Sequence, residues 1–367
     1  MRVNTVRTDL EGLEAAAKVL LGGGVAVIPT DTVYGLAAHP GFPAAVERLY
    51  TIKQRDAKKP IALLAGDTEG AVRFLGGMDD LARRVADRNW PGALTLVLPA
   101  KGSGVFEGVR VPAHDWTREL IRRCGGVLRV TSANLSGRSA ATDAPAALEQ
   151  VGLSADLVVD DGLSPGGLAS TVVRVVDGAM SVLRPGPVTF LTLASGSPRR
   201  AKILNGLGVD FVVEKSDAAE VAYPDDPERT VRENALAKGK AVAKPGRHVL
   251  SADTIVWFAN RIYGKPKDLA EAKAFLRQLS GRTHTVFTGV AYDGEVKVVR
   301  SEVTFRRLAD AMIDDYVARV QPTDRAGAYD IDESGDLIVA EYTGSYENIM
   351  GLPVEPLKEW GIVEEKR

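Results

Sequence analysis

Short apolar runs separated by longer amphipathic stretches recur along the whole chain. "VAVIPT" (25–30), "PIALLA" (60–65), "ALTLVL" (93–98), "VLRVTS" (127–132), "ADLVVD" (155–160) and "STVVRVV" (170–176) are short and rich in Val, Leu and Ile, so they predict strands. Between them, "PAAVERLYTIKQR" (43–55) and "DDLARRVADR" (79–88) carry apolar residues at helical spacing. The alternation begins again near residue 191. "LTLAS", "DFVVEKS", "HVLSAD", "HTVFTGVAYD" and "KVVRSEVTF" predict strands, and 227–243, 269–281 and 309–320 predict helices. Both halves therefore read as α/β, each with its own sheet.

The interruption falls in "LRPGPVTF" (183–190), where Pro185, Gly186 and Pro187 stop any regular element. The spacing predicts two domains, 1–188 and 189–367. With no Ser/Gly-rich linker between them, the domains are expected to abut. A length of 367 residues fits two domains of ordinary size.

Composition narrows the setting. No apolar run approaches the ~20 residues of a membrane-spanning helix, and "MRVNTVRTDLEGLEAA" lacks the apolar centre of a signal peptide. The single cysteine, Cys124, excludes an internal disulfide and a multi-cysteine zinc site. These features predict a cytoplasmic protein with no membrane partner. The net charge of −2 disfavours a broad nucleic-acid footprint and leaves room for local phosphate pockets.

Two blocks carry the candidate chemistry. "LASGSPRR" (193–200) runs from a strand into a helix, with Ser197 as the expected N-cap and Pro198 as the first helical residue. Arg199 and Arg200 then add charge to the end of the helix that is already positive, which is unfavourable unless an anion sits there. In the first half, "VIPTDTVYGLAA" (27–38) puts Thr30, Asp31 and Thr32 at a strand tip, and "TIKQRDAKKP" (51–60) supplies four cations before the next strand.

The blocks "PTDTVYGL", "KQR" followed by "KKP", "WPGALTLVL", "RVPAH", "SANLSG", "STVV" and "RPG" occur in that order. Over roughly residues 10–190 the sequence resembles the YrdC-like threonylcarbamoyl-AMP synthases, which implies a twisted mixed α/β sheet. The resemblance implies that L-threonine, bicarbonate and ATP give threonylcarbamoyl-AMP and pyrophosphate, which serve the N6-threonylcarbamoyl modification of adenosine 37 in tRNA. It places Lys53, Arg55 and Lys59 on the ATP phosphates, and Thr32 and Arg110 on threonine, with Arg110 pairing its carboxylate. Ser132 and Asn134 would contact ATP, Ser170 would close the threonine site, and Arg184 would return to the nucleotide. Leu63-Leu64 stand where some members carry a polar residue. His114 reads as a structural or substrate-lining residue rather than a base.

The second half carries "LASGSPRR", "SDAAE", "ENALAKGKA", "SADTIV", "GKP", "LSGRTHTVFTGV", "DRAGAYDI" and "GSYENIMGLPVEPL". Over roughly 191–362 it resembles the Maf nucleoside triphosphate pyrophosphatases, an α/β fold on a mixed sheet. The resemblance implies metal-assisted cleavage between the α- and β-phosphates, with Mg2+ or Mn2+. Asp253, expected at the end of its strand, would be the catalytic acid/base. Ser195, Ser197, Arg199, Arg200, Lys238 and Lys265 would face the nucleotide, and Glu220 with Asp253 would hold the metal.

For the branch acting on dTTP and UTP, the resemblance points to an Arg in SPRR, a Thr after the catalytic Asp, and a Gln after "AYxI". This chain has Arg199 and Thr254, but Asp332 at the third place. A carboxylate accepts from a pyrimidine N3–H and cannot donate to a carbonyl. Pyrimidine or modified pyrimidine nucleotides are the expected substrates, and Arg199 argues against the branch acting on 7-methyl-GTP.

The expected partners are thus small molecules. tRNA is reached only indirectly, through a downstream threonylcarbamoyl transferase, and a homodimer is compatible with the sequence. The rival reading is a non-catalytic RNA-binding module fused to a septum-inhibitor-like regulator of cell division. It expects a contiguous basic surface, which the charge balance disfavours.

Overall fold

The computed structural model describes residues 4–364. The backbone forms two compact units, the first ending at Thr189 and the second beginning at Phe190.

The first unit is built on ten strands: β1 (Asn4–Arg7), β2 (Val25–Ile28), β3 (Gly35–Ala38), β4 (Leu63–Ala65), β5 (Leu94–Pro99), β6 (Phe106–Arg110), β7 (Val127–Ser132), β8 (Leu157–Asp160), β9 (Thr171–Val176) and β10 (Ala179–Arg184). They form one mixed sheet in the order β1-β8-β2-β3-β7-β4-β6-β5-β9-β10. Side chains alternate across it. Ala26 and Ile28 join Leu13, Leu20, Leu120 and Ile121 on one face. Val25 and Val27 join Tyr34, Leu49 and Ala144 on the other. Both faces are covered, which explains why "VAVI" is apolar at every position.

The second unit adds β11 (Leu191–Leu193), β12 (Phe211–Val213), β13 (Val249–Phe258), β14 (Arg261–Tyr263), β15 (Thr283–Tyr292), β16 (Glu295–Phe305) and β17 (Val339–Thr343). The sheet order is β12-β11-β13-β15-β16-β17, with β14 paired to β13. β11 is parallel to both neighbours, and the long strands β13, β15 and β16 are antiparallel. Both units are mixed α/β, as the sequence predicts. No described helix is long and apolar enough to cross a membrane.

Two local expectations are corrected. Asp253 lies inside β13, which continues five residues beyond it to Phe258. A buried carboxylate is tolerated there because Asn234 and Lys238 hydrogen-bond to it. Ser197 does sit at the N-cap of the helix Pro198–Gly206, but its hydroxyl makes no capping bond. Ser195 Oγ accepts from the Ser197 N–H instead, at 3.2 Å.

Candidate active sites

In the second unit, the helix Pro227–Val242 lies directly on the sheet. Gly289 of β15, the register partner of Asp253, permits this: a Cβ there would stand 2.3 Å from the Val231 carbonyl oxygen. The close approach brings two residues one helical turn apart onto a single carboxylate. Asn234 Nδ2 donates to Asp253 Oδ2 at 3.0 Å, and Lys238 Nζ donates to Oδ1 at 2.5 Å. Lys238 also reaches Glu220 Oε1 at 2.7 Å.

Arg200 draws the surrounding loops together. It is buried, and donates from Nε to the Gly351 carbonyl (2.8 Å), from Nη1 to Ser195 Oγ (2.9 Å) and from Nη2 to Thr254 Oγ1 (3.0 Å). All three acceptors are neutral. Burial pulls its pKa down to about 10, against the pull of Asp253. A buried cation on neutral acceptors is poised for an anionic ligand. Arg199 faces Asp324 at 3.5 Å and Asp330 at 3.6 Å.

These groups line a cavity of about 700 Å³, a size that suits a nucleotide. Ser195, Ser197, Arg199, Arg200, Glu220, Lys238, Asp253, Thr254 and Lys265 all line it. Asp332 is not among the lining residues. Lys202 Nζ holds its carboxylate at 2.5 Å, and Tyr346 donates to it at 3.4 Å. The acid that does line the cavity is Asp330, paired with Arg325 at 2.9 Å. Sequence reasoning missed Asn234, Asp330 and Arg325. Asn234 had a signal, because it precedes Lys238 by four residues on one helix.

Asp253 and Glu220 supply hard oxygen donors that both reach Lys238, and that chemistry fits a hard divalent cation. Among the described residues no group of three His, Cys, Asp or Glu side chains forms a cage. The fit is therefore to a cation that completes its shell with substrate phosphate oxygens and water.

In the first unit the cations gather around the strand ends. Lys53 closes the helix Pro43–Lys53, and its buried ammonium bonds the Ser132 carbonyl, the Asn134 carbonyl (2.5 Å) and Asn134 Oδ1 (3.1 Å). Burial, reinforced by Arg55, pulls its pKa down to about 8. Arg55 donates to the carbonyls of Lys59 and Pro60, both at 3.1 Å, which folds the loop back; the Lys59 side chain itself is exposed. Arg184 donates to the Ser170 carbonyl (2.8 Å) and hydroxyl (3.2 Å), and Ser170 Oγ meets Thr95 Oγ1 at 2.8 Å.

Arg110, at the end of β6, donates from Nε to the Gly92 carbonyl and from Nη1 to Thr32 Oγ1, both at 2.8 Å, and from Nη2 to Asp31. Burial lowers the pKa of Arg110 and of Arg184, and positive neighbours add to it: Arg184 acts on Arg110, and Arg55 acts on Arg184. Lys53, Arg55, Arg110 and Arg184 thus form a chain of cations whose contacts are mostly neutral oxygens. His114 caps the helix Asp115–Arg123 by accepting from Thr117 N–H, and its Nε2 meets Asp161 at 2.9 Å.

Comparison with known proteins divides the chain at the same place. A Sua5/YciO/YrdC family profile, described as "Telomere recombination", matches residues 18–186, and a "Maf-like protein" profile matches 190–360. Over 173 residues the chain is 46% identical to a dTTP/UTP pyrophosphatase of Bacillus cytotoxicus, spanning 45% of this chain and 90% of that protein. Over 175 residues it is 45% identical to the Bacillus anthracis dTTP/UTP pyrophosphatase, spanning 46% of this chain and 91% of that one. The structure of P. abyssi Sua5 complexed with L-threonine aligns with a TM-score of 0.50 at 26% identity, covering 60% of this chain. The chain spans 66% of that protein's length.

Proposed function

The chain belongs to the Maf family through its second half and carries a Sua5/YrdC-type domain in its first, and on that premise we propose a bifunctional enzyme with two separate pyrophosphate-releasing sites. The first unit converts L-threonine, bicarbonate and ATP to threonylcarbamoyl-AMP and pyrophosphate. The second hydrolyses a nucleoside triphosphate to its monophosphate and pyrophosphate.

In the first reaction the carbamate of threonine attacks the α-phosphorus of ATP, an anion approaching an anion. Fixed positive charge and orientation matter more there than a strong base. The chain of Lys53, Arg55 and Arg184 supplies the charge, and Arg110 with Thr32 orients the amino acid. The product is an activated carbamate, which a downstream threonylcarbamoyl transferase places on adenosine 37 of tRNA.

In the second reaction a divalent cation, Mg2+ or Mn2+, supplies charge neutralisation on the triphosphate when bound by Asp253 and Glu220. Asp253 takes the proton of the attacking water. Asn234 and Lys238 each occupy one lone pair of its carboxylate and leave others free. Arg200, Arg199 and Lys265 hold the phosphates, with Ser195 and Ser197 at the helix start. The observation that carries this reading is the buried Arg200, held on neutral acceptors in the same cavity as the Asp253–Lys238 pair.

The relatives' substrates, together with Arg199 and Thr254, favour dTTP, UTP or a modified pyrimidine nucleotide. Asp332 is paired with Lys202, and Asp330 is the acid that lines the cavity beside it in sequence, so both carboxylates are candidates for reading the base. The test is pyrophosphate release from a panel of canonical and modified nucleotides by the full chain, with and without threonine and bicarbonate. Release from pyrimidine triphosphates alone, and from ATP only when threonine and bicarbonate are present, is the expected pattern.

A further inference from the structure

Arg110 is 5% exposed, and each of its three nitrogens donates one hydrogen bond. Two of the three partners are rigid. Gly92 offers a backbone carbonyl, and Thr32 Oγ1 is fixed against Thr30 Oγ1 at 3.0 Å. The third partner, the Asp31 carboxylate, is a short side chain that can leave by rotation. The Asp31 backbone stays in place meanwhile: Gly166 N–H donates to its carbonyl at 3.0 Å, and a Cβ on Gly166 would stand 2.6 Å from that oxygen. The guanidinium is buried with Arg184 near enough to repel it, so the Asp31 carboxylate beside it stabilises its charge. Two guanidinium N–H groups are left over, but a second carboxylate beside Asp31 would meet like charge, so a carboxylate that binds Arg110 exchanges with Asp31 rather than adding to it.

We propose that Asp31 is a specificity-determining residue that stands in for the substrate carboxylate: it occupies the outer face of Arg110 until the carboxylate of the amino acid displaces it. The inference rests on the reading of Arg110 as the carboxylate ligand. Its consequence is selective. A ligand with its own carboxylate leaves Arg110 paired after Asp31 has moved, whereas an amino alcohol leaves a buried cation alone and is refused. The exchange also lowers the affinity for threonine itself, because each binding event must first break an ion pair.

The test is calorimetry on the full chain with L-threonine and L-threoninol, using wild type, Asp31→Asn and Arg110→Gln. The amide of Asp31→Asn keeps the shape and the acceptor oxygen but removes the competing charge. The expected result is threonine binding tighter by about tenfold or more, the scale of one charge-assisted hydrogen bond, with no gain for threoninol. Unchanged or weaker threonine binding overturns the proposal, since weaker binding makes Asp31 a ligand of the substrate instead. Thermal unfolding covers an unstable variant: threonine should raise the midpoint of Asp31→Asn more than that of wild type, and a variant left unfolded in saturating threonine overturns it too. Arg110→Gln separates the two claims. If it binds threonine like wild type, the reading of Arg110 fails; if it loses binding while Asp31→Asn is unchanged, only the role of Asp31 fails.

Discussion

The ammonium of Lys238 stands between two carboxylates, 2.5 Å from Asp253 and 2.7 Å from Glu220. Asp253 and Lys238 are both largely buried, so removing the cation leaves Asp253 charged and short of a partner. Lys238→Met should destabilise the second unit by about 3 kcal/mol and lower kcat for nucleotide hydrolysis by about a hundredfold. Urea unfolding and steady-state kinetics on the same preparation measure both.

Gly289 is the position where the helix Pro227–Val242 touches the sheet. Gly289→Ala would drive a Cβ to within 2.3 Å of the Val231 carbonyl, so the helix must lift. The expected cost is about 1–3 kcal/mol, together with loss of hydrolysis as Asn234 and Lys238 move off Asp253. Activity in the first unit should be untouched, and assaying both reactions on one variant checks it.

His284 is buried between Phe305 and Tyr329, with Nε2 3.1 Å from the Tyr329 hydroxyl. Burial pulls its pKa down to about 3. The folded protein keeps this ring neutral while the unfolded chain protonates near pH 6.5, so its stabilising contribution is complete above 6.5 and falls as pH drops toward 3. Between pH 7 and 5 the second unit should lose about 2 kcal/mol that a His284→Gln variant does not lose. Denaturant unfolding of both proteins at the two pH values gives the difference directly.

Lys53 ties the end of its helix to the Ser132–Asn134 turn through two carbonyl oxygens. Lys53→Met leaves both carbonyls without that donor. The first unit should lose about 1–3 kcal/mol, and the KM for ATP should rise because the turn proposed to meet the nucleotide loosens. Comparing the ATP and threonine dependence of threonylcarbamoyl-AMP formation shows whether the change is confined to ATP.

Much of the fold was legible because the strands carry dense Val, Leu and Ile: β2 is apolar and buried at every position, and β5, β7 and β13 keep apolar runs around a few polar residues. Gly35–Ala38 and Phe106–Arg110 were not: the first is all glycine, leucine and alanine, and the second carries Glu107 and Gly108. Their strand character comes from neighbours, Gly35–Ala38 lying between β2 and β7. The depth of Asp253 was hidden for a related reason. A carboxylate reads as a strand end unless its partners are known, and Asn234 and Lys238 lie 19 and 15 residues away. The surroundings of Asp332 were hidden as well. Its place in the motif pointed to the base, and sequence spacing does not reveal its pairing with Lys202, 130 residues away.

The central claim is that one chain holds two independent active sites, and crossed single-site variants assayed for both reactions test it most directly. Asp253→Asn should abolish nucleotide hydrolysis and leave threonylcarbamoyl-AMP formation at the wild-type rate, while Arg110→Gln should do the reverse. Loss of both activities from either folded variant, or hydrolysis that survives Asp253→Asn, would contradict it.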